Sequence, residues 1–200
     1  MMMQPPFEAE LFAGEPVRRM TRAEYEQLAR DDFFGDQRVE LLFGVVVEVS
    51  PAKPPHSESV YQIQRILERA LDERARVRSQ LPFAADDYSE PEPDIMVVPA
   101  RSYWDAHPSR AHLIVEVAHT SQHRDRGIKA RLYASSDVSE YWIVDVPRGV
   151  VEIYRDARDG EWQTKTTHHR GEVIAPRAFP DAGVHVAEIL PPVEGPVHES

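Results

Sequence analysis

Apolar residues recur at every second position in some stretches of this chain and at every third or fourth in others, and the contrast marks out its elements. In "RVELLFGVVVEVS" (38–50) two apolar arms flank Phe43-Gly44, which predicts a β-hairpin whose glycine takes the positive φ of a tight turn. From His56 to about Val77 the positions Val60, Ile63, Leu67, Ala70 and Leu71 follow a helical period. Arg65, Arg69, Arg74 and Arg76 then form the solvated face of that helix. "PDIMVVP" (93–99) and "HLIVEVA" (112–118) are short β-branched runs bounded by proline and polar residues, as strands are. "EYWIVDV" and "VVEIYRD" predict two more strands, paired through Pro147-Arg148-Gly149, and "EWQTKTT", "EVIAP" and "VHVAEIL" give weaker strand signals. Two further helices are marked by their starts. Thr21 and Glu24 have capping-box spacing before "RAEYEQLAR", and Thr120 and Ser121 offer capping hydroxyls before "HRDRGIKARLYA", where Ile128 and Leu132 lie four apart.

This order predicts an α/β protein of the α+β kind, a mixed sheet with helices packed on it. Residues 1–19 and 191–200 are proline-rich and polar without periodicity and are expected to be flexible, leaving one domain over 20–190.

Two positions break the pattern. Strand alternation puts Leu113, Val115 and Val117 on one face and Ile114, Glu116 and Ala118 on the other, so Glu116 points where apolar neighbours point. Asp94 likewise shares a face with Met96 and Val98. An ionised carboxylate buried there costs several kcal/mol unless a cation or strong donors compensate it. A turn-capping role for Asp94 and an arginine-paired role for Glu116 are the structural readings of these acids. The chemical reading is that hard oxygens from neighbouring strands suit Mg²⁺ or Mn²⁺, which bind through one or two carboxylates and keep several waters. Lys129, early in the following helix, is placed to reach back toward such a site. A third acid of this kind, Asp145, is read as structural or turn-forming.

Composition narrows the field. With 200 residues, 42% hydrophobic and 28% charged, and no long apolar run, the chain has the balance of an ordinary soluble domain. The absence of cysteine excludes disulfides, thiolate metal sites and a cysteine nucleophile. With no secretory pattern at "MMMQPPFEAELFAGEP", a cytoplasmic location is expected. A net charge of −11 opposes non-specific affinity for nucleic acid. Against that average, residues 118–134 hold Arg124, Arg126, Lys129 and Arg131 with Asp125 as their one acid. His119 and His123 lie four apart but lack the glutamate of H-E-x-x-H, a weak case for zinc; His168-His169 reads as surface. No nucleophile elbow and no phosphate-cradling glycine motif is present.

The ordered set "MTRAEYEQL", "RVELLFGVVVEVSP", "HSES", "PEPDIMVV", "LIVEVAHTS", "RDRGIKARLYASSDVSEYWIVDV" and "VEIYRD…DGEW" resembles the bacterial family of putative restriction endonucleases in the PD-(D/E)XK nuclease superfamily, from about residue 20 to 190. The resemblance implies a restriction-endonuclease-like core, a homodimer, and Mg²⁺- or Mn²⁺-dependent hydrolysis of DNA phosphodiester bonds. It assigns the metal to Glu40, Asp94, Glu116 and the backbone carbonyl of Val117, and catalysis to Asp94, Glu116 and Lys129. His56 and Gln122 are candidates for orienting the site, and Arg124, Arg126 and Arg131 for phosphate contacts. The departures are Ala118, which stands where the usual E-x-K lysine would be, and His119, which replaces a small residue. With its lysine moved, the chain is also compatible with a second function, a non-catalytic dimeric binding module on a nuclease fold.

Overall fold

The structure, a computed structural model, describes residues 17–119 and 121–192. The expectations for residues 1–16 and 193–200, and the cap at Thr120, lie outside the described residues.

Helix α1 (Arg22–Arg30) begins at a complete capping box. The Thr21 hydroxyl accepts from the Glu24 amide, and the Glu24 carboxylate accepts from the Thr21 amide at 2.9 Å. Strands β1 (Val39–Leu42) and β2 (Val45–Glu48) form the predicted hairpin, with Phe43 and Gly44 both at positive φ, as a two-residue primed turn requires. The hairpin is a separate two-stranded sheet. It is anchored by backbone bonds between Leu41 and Glu90 and from Gly44 N–H to the Tyr88 carbonyl.

Helix α2 (Pro54–Leu71) buries Ile63, Leu67 and Leu71, each contributing roughly 1.5–3 kcal/mol by removal from water. It ends earlier than the sequence predicts. Asp72 adopts φ 47, a 3₁₀ turn follows, and Ala75–Ser79 becomes β3, with Val77 pairing opposite Val97. Arg74 and Arg76 therefore do not share the helix's solvated face. Arg74 pairs with Asp181, while Arg76 projects from an edge strand.

The chain continues through β4 (Ile95–Pro99), the short β5 (Arg110–Ala111) and β6 (Leu113–Ala118). A helical stretch follows: α3 (Gln122–Arg124), a π turn (Asp125–Lys129) and α4 (Ala130–Ala134). Ser121 begins that stretch without capping it; its hydroxyl donates to the Asp125 carboxylate instead. The remaining strands are β7 (Asp137–Val138), β8 (Glu140–Asp145), β9 (Val150–Arg158), β10 (Glu161–His169), β11 (Val173–Ile174) and β12 (Val184–His185).

The main sheet has the order β10-β9-β8-β6-β4-β3 and is antiparallel except where β6 runs parallel to β8. Both faces are covered. On one, Leu113, Val115 and Val117 pack with Trp142, Val144 and α2; on the other, Ile114 and Ala118 pack with Met96, Tyr141, Ala130 and Tyr133. The alternation read from "LIVEVA" is thus the alternation between these two cores. No described helix is long and apolar enough to cross a membrane.

Candidate active site

Asp94 immediately precedes β4, and Ile95 pairs with Val115, so the acid lies beside the end of β6 that carries Glu116. Glu40, central in β1, comes to the same place from the separate hairpin. All three carboxylates line one cleft of about 310 Å³, between the segment entering α2 and the segment leaving β6.

Lys129 joins two of the acids. Its ammonium donates to Glu40 Oε1 and to Glu116 Oε1, both at 2.9 Å, and all three side chains are buried. The π turn has a geometric consequence here. Its extra residue rotates the rest of the helical stretch relative to a regular α-helix, and Lys129 closes that turn facing the sheet, only 2% exposed, while Ile128 remains at the surface. Burial alone would lower the Lys129 pKa, but the carboxylates of Glu116, Glu40 and Asp125 outweigh it and hold the ammonium more firmly charged than an ordinary lysine. Burial pushes the Glu116 carboxyl up to about 8, opposed by Lys129 and reinforced by Asp94 and Asp125. The charged ammonium 2.9 Å from Oε1 is the group that favours the ionised form of Glu116.

Asp94 is held by two donors on one oxygen. His56 Nε2 lies 3.0 Å from Oδ2, and the Val117 amide donates to that atom at 2.8 Å. Burial would raise the Asp94 pKa, but the bond and charge of His56 with the Val117 amide bring it below the usual aspartate value. His56 stands in the first turn of α2, so the helix that covers one face of the sheet also delivers the partner of Asp94. At Val117, whose carbonyl is the expected ligand, the structure records the N–H on Asp94 Oδ2.

The remaining candidates separate. Arg124 lines the cleft, and one of its terminal nitrogens donates to the Glu48 carbonyl at 3.4 Å. Gln122 donates to the His119 carbonyl and does not line the cleft. Arg126 is turned away from it, clamped on Glu152 at 2.8 Å and on Asp145, so the buried Asp145 is a structural partner as read from sequence. Arg131 is exposed and outside the cleft.

One site residue escaped the sequence reading. The Tyr133 hydroxyl donates to Glu116 Oε1 at 2.7 Å, fully buried. Its signal was present but faint, a hydroxyl-bearing aromatic one helical repeat after Lys129.

A hard divalent cation requires oxygens free to face it. No group of three His, Asp or Glu side chains among the described residues is already gathered as a metal cluster, since the Lys129 ammonium lies between Glu40 and Glu116. The bonds of Asp94 and Glu116 fall on one oxygen each, leaving Oδ1 and Oε2, and Glu40 Oε2 is buried with no partner. Free carboxylate oxygens at a polar cleft fit a cation of the Mg²⁺ type, which needs one or two such ligands beside water.

A mixed sheet covered by helices, with Asp, Glu and Lys brought together at strand ends, defines a restriction-endonuclease-like α/β fold. The model of the family Uma2, described as putative restriction endonuclease, matches residues 22–187, and the chain belongs to that family. Among solved structures, the chain is similar to a putative nuclease belonging to DUF820 from Anabaena variabilis, with a TM-score of 0.66 and 14% identity over 80% of this chain and 95% of that one. At that identity the likeness is one of fold. A comparison with curated proteins finds no match.

Proposed function

We propose that the protein is a divalent-metal-dependent endonuclease that hydrolyses DNA phosphodiester bonds. The observation that carries this reading is the Lys129 ammonium on the oxygens of Glu116 and Glu40 beside Asp94, in a chain of the Uma2 family. The lysine expected at 118 is absent, yet a buried, charged lysine stands beside the acid that it would serve.

In this reading Asp94 and Glu116 would hold Mg²⁺ or Mn²⁺, with Glu40 beside them on the same cleft. When bound, the ion supplies a more acidic water and positive charge against a phosphate oxygen. The protein's own residues do the rest. His56 and the Val117 amide keep Asp94 ionised and fix its orientation. Lys129, held charged, is a donor and not a base: it orients the attacking water or offsets negative charge gathering on the phosphate. Arg124, at the cleft wall, contacts a flanking phosphate. The reading includes a homodimer, which sedimentation velocity tests directly.

Cleavage of plasmid DNA with Mg²⁺ or Mn²⁺ tests the whole. Wild type is expected to nick, and Glu116→Ala to lose activity; undiminished cleavage by Glu116→Ala would sink the assignment. The competing reading, a non-catalytic dimeric binding module, draws on the acidic net charge and on Ala118. Calorimetry showing no Mn²⁺ uptake dependent on Asp94 and Glu116 favours it.

A further inference from the structure

We propose that Tyr133 is a positioning residue that fixes which oxygen of Glu116 faces the cleft. The proposal rests on the metal-dependent reading above and adds to it a residue that touches neither metal nor substrate.

Glu116 Oε1 accepts two hydrogen bonds, from Lys129 Nζ at 2.9 Å and from the Tyr133 hydroxyl at 2.7 Å. Two donors from different directions on one oxygen stop the carboxylate from turning about its last bond. Oε2 is then the oxygen left for the cleft that Glu116 lines. Without the phenol, one of the two donors that fix the carboxylate is lost, and it is freer to rotate and offer both oxygens to the ammonium. A pair closed in that way is a poorer ligand, because its second lone-pair set is spent on the lysine.

The phenol is suited to this task because its ring is packed on several sides. Its ring is fully buried, with its centroid 5.0 Å from that of Tyr141 and 6.5 Å from that of Phe83. Tyr141 in turn donates through its hydroxyl to the Asp125 carbonyl at 3.1 Å, inside the π turn that aims Lys129. Lys129 and Tyr133 lie four apart on one helical face, so the two donors to Glu116 are held by the same stretch of backbone. A core tyrosine satisfying its hydroxyl on any available acceptor would be the plainer account. What sets this one apart is its choice of acceptor, the oxygen already taken by Lys129 on the one acid of β6.

The test is Mn²⁺ titration by calorimetry of wild type, Tyr133→Phe, Glu116→Gln and the double variant, each checked first by circular dichroism and thermal unfolding. Removing an outer partner of a ligand typically costs 10–100-fold in metal affinity. Tyr133→Phe is expected to weaken Mn²⁺ by about that factor in the Glu116 background. In the Glu116→Gln background it should change affinity less than about twofold, because the carboxylate it positions is gone. A loss of equal size in both backgrounds, or none in either, overturns the proposal. Wild type that takes up no Mn²⁺ overturns the metal reading instead, a different result from uptake that ignores Tyr133. A Mn²⁺-soaked crystal of the wild-type protein is a second measurement that does not depend on the variant folding. Metal on Oε2 with the phenol still on Oε1 is expected; metal on Oε1 refutes the proposal.

Discussion

Replacing Lys129 by methionine keeps an unbranched stem of similar reach and deletes the charge. Two contacts of 2.9 Å disappear together, with Glu40 and Glu116 both buried. At an effective dielectric of about 20, each such contact is worth about 6 kcal/mol of Coulomb attraction, most of it set against the cost of bringing the ions out of water. What remains measurable is the penalty for stranding the partners, about 3–5 kcal/mol when one member of a buried pair is removed. In urea, with a slope of about 2 kcal/mol per molar, the unfolding midpoint should fall by about 1.5–2.5 M. Adding Glu40→Gln to Lys129→Met removes one stranded charge and should recover at least about 1 kcal/mol. A midpoint within about 0.5 M of wild type, or a double variant no more stable than Lys129→Met, would show that the ammonium does not neutralise these acids in the folded protein.

Other consequences can be measured separately. The Glu90 carboxyl is pushed up to about 7 by burial and by Glu26 beside it, with Arg22 opposing. The folded state therefore binds the extra proton, and stability should fall as pH rises between about 4.5 and about 7. Glu90→Gln should flatten that part of a plot of Tm against pH; an unchanged slope refutes the assignment. Arg126→Ala strands Glu152 and Asp145, partly relieved by Arg148 and Lys165, and should lower Tm by roughly 5–10 °C. Arg124→Ala should leave Tm nearly unchanged but reduce the salt slope of DNA binding by about one. The reverse result would exchange the roles of these two arginines. Gly44→Ala places a Cβ 2.4 Å from Arg19 Cβ at φ +83, and should cost on the order of 1–3 kcal/mol in urea titration while displacing the hairpin that carries Glu40.

Where a single period governs a segment, its structure was readable. "LIVEVA" showed both cores and the misplaced acid at once, and "LLFGVVV" gave both the hairpin and its turn, because each depends on neighbours close in sequence. The end of α2 was not readable. "DERARVRS" combines residues that favour helices with a two-residue alternation, and the break at Asp72 takes a positive φ without glycine. The weak signal for β10 has a similar cause, since most of its residues are exposed and carry no apolar stripe. Among site residues, acids in apolar runs stood out. Arg126 looked like its neighbours because its partners, Asp145 and Glu152, enter only through the sheet. The π turn leaves no periodic trace in five residues, and nothing local to Tyr133 distinguishes it from a core aromatic.

The parallel pairing of β6 with β8 carries a further meaning for Ala118. A chain that leaves one strand and rejoins the sheet in the same direction cannot turn back at once; it must travel the length of the sheet before β8 begins. The helical stretch over 122–134 lies on that return, and its Lys129 and Tyr133 both reach Glu116. Connectivity thus delivers a side chain from this return to the acid whether or not a lysine occupies 118. The distance that matters is a reach in space, and several spacings along the chain can satisfy it. A search keyed to E-x-K would pass over this protein, whereas one keyed to strand order would stop at Lys129.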